Sequence, residues 1–250
     1  CDTLIMNYPN DNSIANNGYM HEGITSTKLG LKGIPSLAEE MMVDRDINLL
    51  EYTQSRFHLS YISTAKSAKK IREAKAAGLN ITADVALYNL FLTDKSVNNF
   101  DTRFKVMPPL RTEKDNLTLV NALKDGTIDV ITSDHSPQET ENKKIEFDHA
   151  ANGIIGLESA FGLIGKHLLP KIDISTVIEK IAINPRKVLN ITEVKIEKEQ
   201  PANITLFDPD LEWEFKSKDI KSLSVNTPFI GKKLKGKALA IYNNGQFKSC

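Results

Sequence analysis

The 250-residue chain is 40% hydrophobic and carries 32 basic against 32 acidic residues. It therefore buries a sizeable core and lacks the charge excess that would draw it to nucleic acid or an acidic membrane. No apolar run approaches the ~20 residues of a membrane span, no signal peptide opens the chain, and two terminal cysteines, Cys1 and Cys250, point to a reducing cytoplasm.

The chain opens at Cys1-Asp2 with a strand already under way over Thr3–Met6, which reads as the later part of a longer polypeptide. Turn formers follow at Asn7-Tyr8-Pro9-Asn10-Asp11-Asn12. Ser36 and Glu39 have the spacing of a capping box and predict a helix running to about Tyr52. Phe57–Ile62 alternates as a strand, Ser63 and Thr64 cap a helix over Ala65–Ala77, and Gly78 ends it. The five Lys/Arg residues of that helix make a solvated face. Asn80–Ala86 is the next strand, Thr112 and Asp115 cap a helix through Leu123, and Gly126 closes it.

The stretch Ile128-Asp129-Val130-Ile131-Thr132 is then a buried strand, and it ends in Ser133-Asp134-His135 before Pro137. A carboxylate at the C-terminal lip of a buried strand is where α/β-barrel active sites are built, although strand ends also use Asp simply as a cap. Strands and helices alternating at this spacing predict parallel βα units. A polar loop from His135 to Gly153 precedes a helix expected over Gly153–Leu169, and Asp173 or Ser175 starts another through Ile183. Beyond Gln200 the pattern becomes β-rich, with Asn243-Asn244-Gly245 as a hairpin turn.

Several segments together resemble bacterial dihydroorotases of the type related to the dihydroorotase domain of multifunctional pyrimidine enzymes. They are Lys105-Val106-Met107-Pro108-Pro109-Leu110-Arg111, Asp125-Gly126-Thr127-Ile128-Asp129, Thr132-Ser133-Asp134-His135-Ser136-Pro137 and Asn226-Thr227-Pro228-Phe229-Ile230-Gly231. The resemblance implies an amidohydrolase (β/α)8 TIM-type barrel, α/β in class, of which this is the C-terminal half. Residues 1–200 would supply the later βα units. Residues 201–250 would supply the C-terminal β segment of a small appended β domain.

The resemblance also implies a zinc-dependent cyclic amidase that interconverts dihydroorotate and N-carbamoyl-aspartate. There the metal lowers the pKa of bound water and the last-strand aspartate moves the proton. Asp134 matches that aspartate, as metal ligand and general base. The family's first-strand His-x-His and bridging ligand would lie upstream of Cys1. Tyr8 and Tyr61 stand where the family has zinc histidines, and His58 matches only a non-ligand position. Leu87-Tyr88-Asn89 replaces a Pro-His-His triplet, while Met107 and Gln138 replace the substrate-contacting Asn and His.

A phenol with a pKa near ~10 is a poor zinc ligand at neutral pH, and catalytic zinc usually keeps three protein ligands. The expectation is a dihydroorotase-like protein that binds no zinc, is catalytically impaired, and is retained as a structural partner, for example of aspartate transcarbamoylase. The competing expectation is an active zinc enzyme using upstream ligands plus Asp134. Expected partners are the N-terminal half of the barrel and further copies or aspartate transcarbamoylase, with no nucleic acid and no membrane. Bland roles are expected for His21 and Glu22 (structural), His58 (a satisfied core histidine), His135 (packing at the lip), His149 (in the long loop) and His167 (a helix end).

Overall fold

The computed structural model describes residues 3–250. The reading of the chain's opening at Cys1 lies outside them. The fold groups into two compact units, one running through Gly156 and including Ser222–Pro228, the other made of Leu157–Lys221 and Phe229–Cys250.

The first unit is a βα series. Strand β1 (Leu4–Asn7) leads to helix α1 (Leu37–Thr53), then β2 (Arg56–Leu59), α2 (Ala65–Ala76), β3 (Ile81–Ala86), α3 (Glu113–Lys124) and β4 (Val130–Thr132). The four strands pair in parallel in chain order. Register places Asn7 beside Leu59 and Ala86 beside Thr132, so the C-terminal strand ends share one edge. Leu59, Ile62, Ile71, Ala83, Val85, Leu119, Leu123 and Ile128 are wholly buried, which is why these strands read as apolar runs.

The helix signals are realised with one exception. Thr64 accepts from the Ser67 amide, and Thr112 and Asp115 form a reciprocal capping box. Gly78 and Gly126 take left-handed φ of 83° and 80° after their helices. The Ser36–Glu39 box does not form: Ser36 is itself helical and makes no side-chain cap bond. Glu39 instead turns inward to Ser63 and Thr64.

The helix expected over Gly153–Leu169 is shorter, Ala160–His167 (α4). Gly153 sits at φ 134°, and Ile154 forms a parallel bridge with His135, accepting from the Ser136 amide at 2.9 Å. That extended pairing, together with Gly156 packed on the Ser133 carbonyl, holds the segment out of the helix.

The second unit contains α4, helical turns over Ile174–Val188, and an antiparallel sheet. Its strands β5 (Ile204–Glu214), β6 (Lys233–Asn243) and β7 (Gln246–Ser249) lie in chain order. Asn244 and Gly245, both left-handed, make the β6–β7 turn. Gly165 lets α4 approach β6: a Cβ there would lie 1.8 Å from the Lys235 carbonyl oxygen. Sequence character divides the chain near residue 200, whereas packing places the helices from Ala160 onward with the strands. Among the described residues no helix is long and apolar enough to cross a membrane.

Candidate functional site

Among the residues that follow the four parallel strands, Tyr8, Tyr61 and Asp134 come together at the C-terminal strand ends. Tyr8 follows β1, Tyr61 follows β2, Tyr88 follows β3 and Asp134 follows β4. The Tyr8 and Tyr61 rings meet edge-to-face at 6.2 Å, and Tyr61 and Asp134 are close enough to influence each other's charge. Tyr61 and Asp134 both hold left-handed backbone, φ 60° and 41°. Such conformations are costly for a bulky non-glycine residue and concentrate at functional sites.

A buried pair that sequence reading missed holds Tyr61 in place. Asp84, in the middle of β3, accepts the Tyr61 amide at 2.7 Å and pairs with His58 Nε2 at 2.9 Å. His58 Nδ1 lies 2.8 Å from the Thr82 hydroxyl, so the expected satisfied core histidine is fully partnered. The visible signal was a charged residue inside the apolar strand Ile81-Thr82-Ala83-Asp84-Val85-Ala86.

Beneath Tyr8 lies a second buried pair, Glu39 and Arg111, 2% and 1% exposed. Glu39 accepts from the Ser63 and Thr64 amides and hydroxyls. Arg111 donates to Ser63 Oγ at 3.1 Å and the Ile34 carbonyl at 2.9 Å, and stands 3.2 Å from His21 Nδ1. Burial and the Arg111 charge hold the His21 pKa below its ordinary value; a neutral imidazole accepting from arginine has the structural role expected.

Electrostatics follow from this packing. Burial, with the Glu39 charge adding to it, pushes the Tyr8 phenol well above its usual value. Burial and the charges of Asp134 and Asp84 likewise raise Tyr61. Asp134 itself is pushed up to about 6 by burial and by Asp84, against the opposing hydrogen bond from Tyr61. Both phenols therefore keep their protons at neutral pH.

The other sequence-picked residues lie elsewhere. Met107 packs on the cluster of Ala15, Ile34 and Ala38. Gln138 donates its backbone amide to Asn226 Oδ1. His135 accepts from the Gly156 amide and lies 3.2 Å from Ser222 Oγ. His149 is exposed, 3.8 Å from Asp148. His167 lies in the last turn of α4, yet burial and the neighbouring Lys166 and Lys171 push its pKa down to about 4; it is neutral, so a helix-dipole role as a cation does not apply.

The zinc implied by the resemblance finds one carboxylate and two protonated phenols here. Among the described residues no group of three His, Cys, Asp or Glu side chains could hold a metal ion. These residues do not fit a zinc site.

Comparison with known proteins places this geometry. The chain superimposes with a TM-score of 0.87 on the L-hydantoinase (dihydropyrimidinase) from Arthrobacter aurescens, at 20% identity, covering all of this chain and 57% of that one. A D-hydantoinase structure gives 0.81 at 21% identity, covering 98% and 57%. The fold is thus that of a TIM-barrel amidohydrolase, α/β with a parallel sheet and a small antiparallel sheet. A family model described as dihydro-orotase-like matches residues 1–67. The dihydroorotase of Pelotomaculum thermopropionicum is 44% identical over 235 residues, covering 93% of this chain and 55% of that protein. That of a Thermoanaerobacter species is 43% identical over 249 residues, covering 99% and 58%. The chain belongs to the dihydroorotase-like family. It spans under three-fifths of the length of these relatives.

Proposed function

We propose that this chain is part of a dihydroorotase-like protein of cytoplasmic pyrimidine synthesis that has lost zinc catalysis and is kept as a structural partner, for example of aspartate transcarbamoylase. One observation carries the reading: a Tyr61 phenol, held protonated by burial and by the Asp134 and Asp84 charges, stands at the position matched to a zinc histidine. A neutral phenol gives zinc a much weaker donor than imidazole. The fold around it is retained, with a TM-score of 0.87 to a hydantoinase.

The test is made on the full-length protein. Assays with dihydroorotate and with N-carbamoyl-aspartate, with and without added zinc, are expected to give no turnover. Co-purification with the transcarbamoylase of the same cell is expected to succeed. Zinc-dependent turnover would defeat the proposal.

A second reading has its own support. Asp134 with a pKa near 6 is suited to general-base work at neutral pH, so upstream ligands and Asp134 could together serve one metal ion. Metal analysis of the full-length protein separates the two: near-stoichiometric zinc favours this second reading.

A further inference from the structure

A cleft of about 500 Å³ lies beside the loop that follows Asp134; Gln138 is on its wall, while Asp134, Tyr8 and Tyr61 are not. Its size falls in the range of small-molecule sites, roughly 300–1,000 Å³. Three apolar side chains from distant parts of the sequence face it: Phe100, Ile145 and Val225, which remain 48%, 44% and 51% exposed.

The walls are tied down. Asn226, 6% exposed, donates to the Ser136 and Gly153 carbonyls at 2.9 and 3.1 Å, which fixes Val225 beside the loop. Lys143 closes the loop from within, donating to the Ala151 and Gly153 carbonyls at 2.8 and 3.2 Å. Thr102 Oγ1 donates to the Lys143 carbonyl at 2.5 Å. Phe100 sits at φ 56° directly after Asn99 at φ 70°. Two successive left-handed residues are unfavourable by roughly 1–2 kcal/mol each, so the turn that presents the ring is held by its surroundings.

Charge selects the ligand. The Arg103 guanidinium is neutralised by a bidentate pair with Asp101, at 2.9 and 2.7 Å. Lys143 meets backbone carbonyls, and Lys144 has no ion pair among the described residues. The lining thus carries one exposed ammonium without an ion pair among the described residues, that of Lys144, next to an apolar wall.

We propose that this cleft binds a small aromatic carboxylate, its ring against Phe100, Ile145 and Val225 and its charge toward Lys144. The site is independent of whether Asp134 serves catalysis, so it stands or falls apart from the proposed function.

The probe is 2-naphthoate, titrated into the full-length protein at low ionic strength by calorimetry or ligand-observed NMR. The expected result is one-to-one saturable binding with a Kd on the order of 1 mM, as suits a dozen or so heavy atoms. Lys144→Ala, an exposed substitution, should weaken it about fivefold, and salt should do the same. Ile145→Asp should abolish it, while Lys28→Ala, away from the cleft, should leave it unchanged. The amine of the same shape, 2-naphthylmethylamine, should not bind. Equal affinity for the amine, an unchanged Kd in Lys144→Ala, or no saturable binding would each overturn the assignment.

Discussion

Tyr61 donates its amide to Asp84 at 2.7 Å, which holds its phenol near Asp134 at the C-terminal ends of β2 and β4. The position that resembles a zinc-histidine site is thus occupied by a phenol that keeps its proton, a poor zinc ligand. In the full-length protein, Tyr8→His with Tyr61→His should raise zinc from a trace to about one ion per polypeptide, measured by elemental analysis. The backbone permits the change, because histidine enters the left-handed region at φ 60° more readily than tyrosine does. If the double variant stays metal-free, the two phenols are not what excludes the ion.

Asp134 ties stability to pH in an unusual direction. Its folded pKa is raised from 3.8 to about 6, so between those values the folded chain holds a proton that the unfolded chain has released. The linked stabilisation is fully present below the unfolded value and is lost as pH rises through about 6. Above that, the ionised group opposes folding by about 1–2 kcal/mol, after discounting for partial solvent exposure. Asp134→Asn should therefore be more stable than the parent by that amount at pH 8 and equal to it near pH 4. Urea denaturation at both pH values checks this. An equal gain at both would assign the effect to packing.

The Glu39–Arg111 pair is the most deeply buried charge arrangement near the site. Its closest nitrogen–oxygen distance is 3.9 Å, and much of each partner's bonding goes to Ser63, Thr64 and Ile34. Glu39→Gln leaves the arginine without its counter-charge and should cost about 3–5 kcal/mol. Adding Arg111→Met should recover part of that loss. A double-mutant cycle on the unfolding midpoint reads the coupling; additive losses would mean that the pair acts only through its hydrogen bonds.

Much of this was legible from local sequence. Thr64, Thr112, Gly78 and Gly126 mark helix ends through the chemistry of residues one to three positions away, and all four behave accordingly. The strand ending at Asp134 was legible because β-branched residues run into a polar lip. Glu39 was not. Its spacing from Ser36 is that of a capping box, but Ser63 and Thr64, 24 and 25 positions on, claim the carboxylate. Asp84 was passed over for the same reason, since its partners His58 and Tyr61 belong to another strand. The Gly153–Ser159 stretch reads as helix until Ile154 finds its pairing partner at His135. Contacts made by long-range register leave little trace in local pattern.

Lys105 offers a test of what holds the loop after β4. Buried to 5% exposure, its ammonium donates to the Phe147 and Asp148 carbonyls at 2.7 and 2.9 Å and lies over the Tyr19 and Phe147 rings at 5.1 and 5.4 Å. Burial holds its pKa below the usual lysine value, against the pull of Asp148. Lys105→Met keeps the stem and strands two carbonyl oxygens, at about 1–3 kcal/mol each. Hydrogen exchange should accelerate across residues 146–153 and remain unchanged in α2. A variant in which the loop stays protected would show that Lys143 alone secures it.

Among the described residues strand β1 pairs on one side only, and its Ile5 and Met6 are 48% and 52% exposed. Helix α1, which follows it, bares Leu37, Met41, Leu49 and Tyr52 within one arc of its surface, the last at 88% exposure. Parallel strands are almost always buried on both faces, and an open edge invites pairing. We propose that a further βα unit covers both features at once; the relatives are longer than this chain. Met41→Asp with Leu49→Asp should therefore do little to residues 3–250 made alone. In the full-length protein the same pair should cost several kcal/mol, as expected for charges placed in an apolar contact. Thermal unfolding of the two forms side by side makes the comparison. Equal, small effects in both would mean that α1 faces water in the complete molecule.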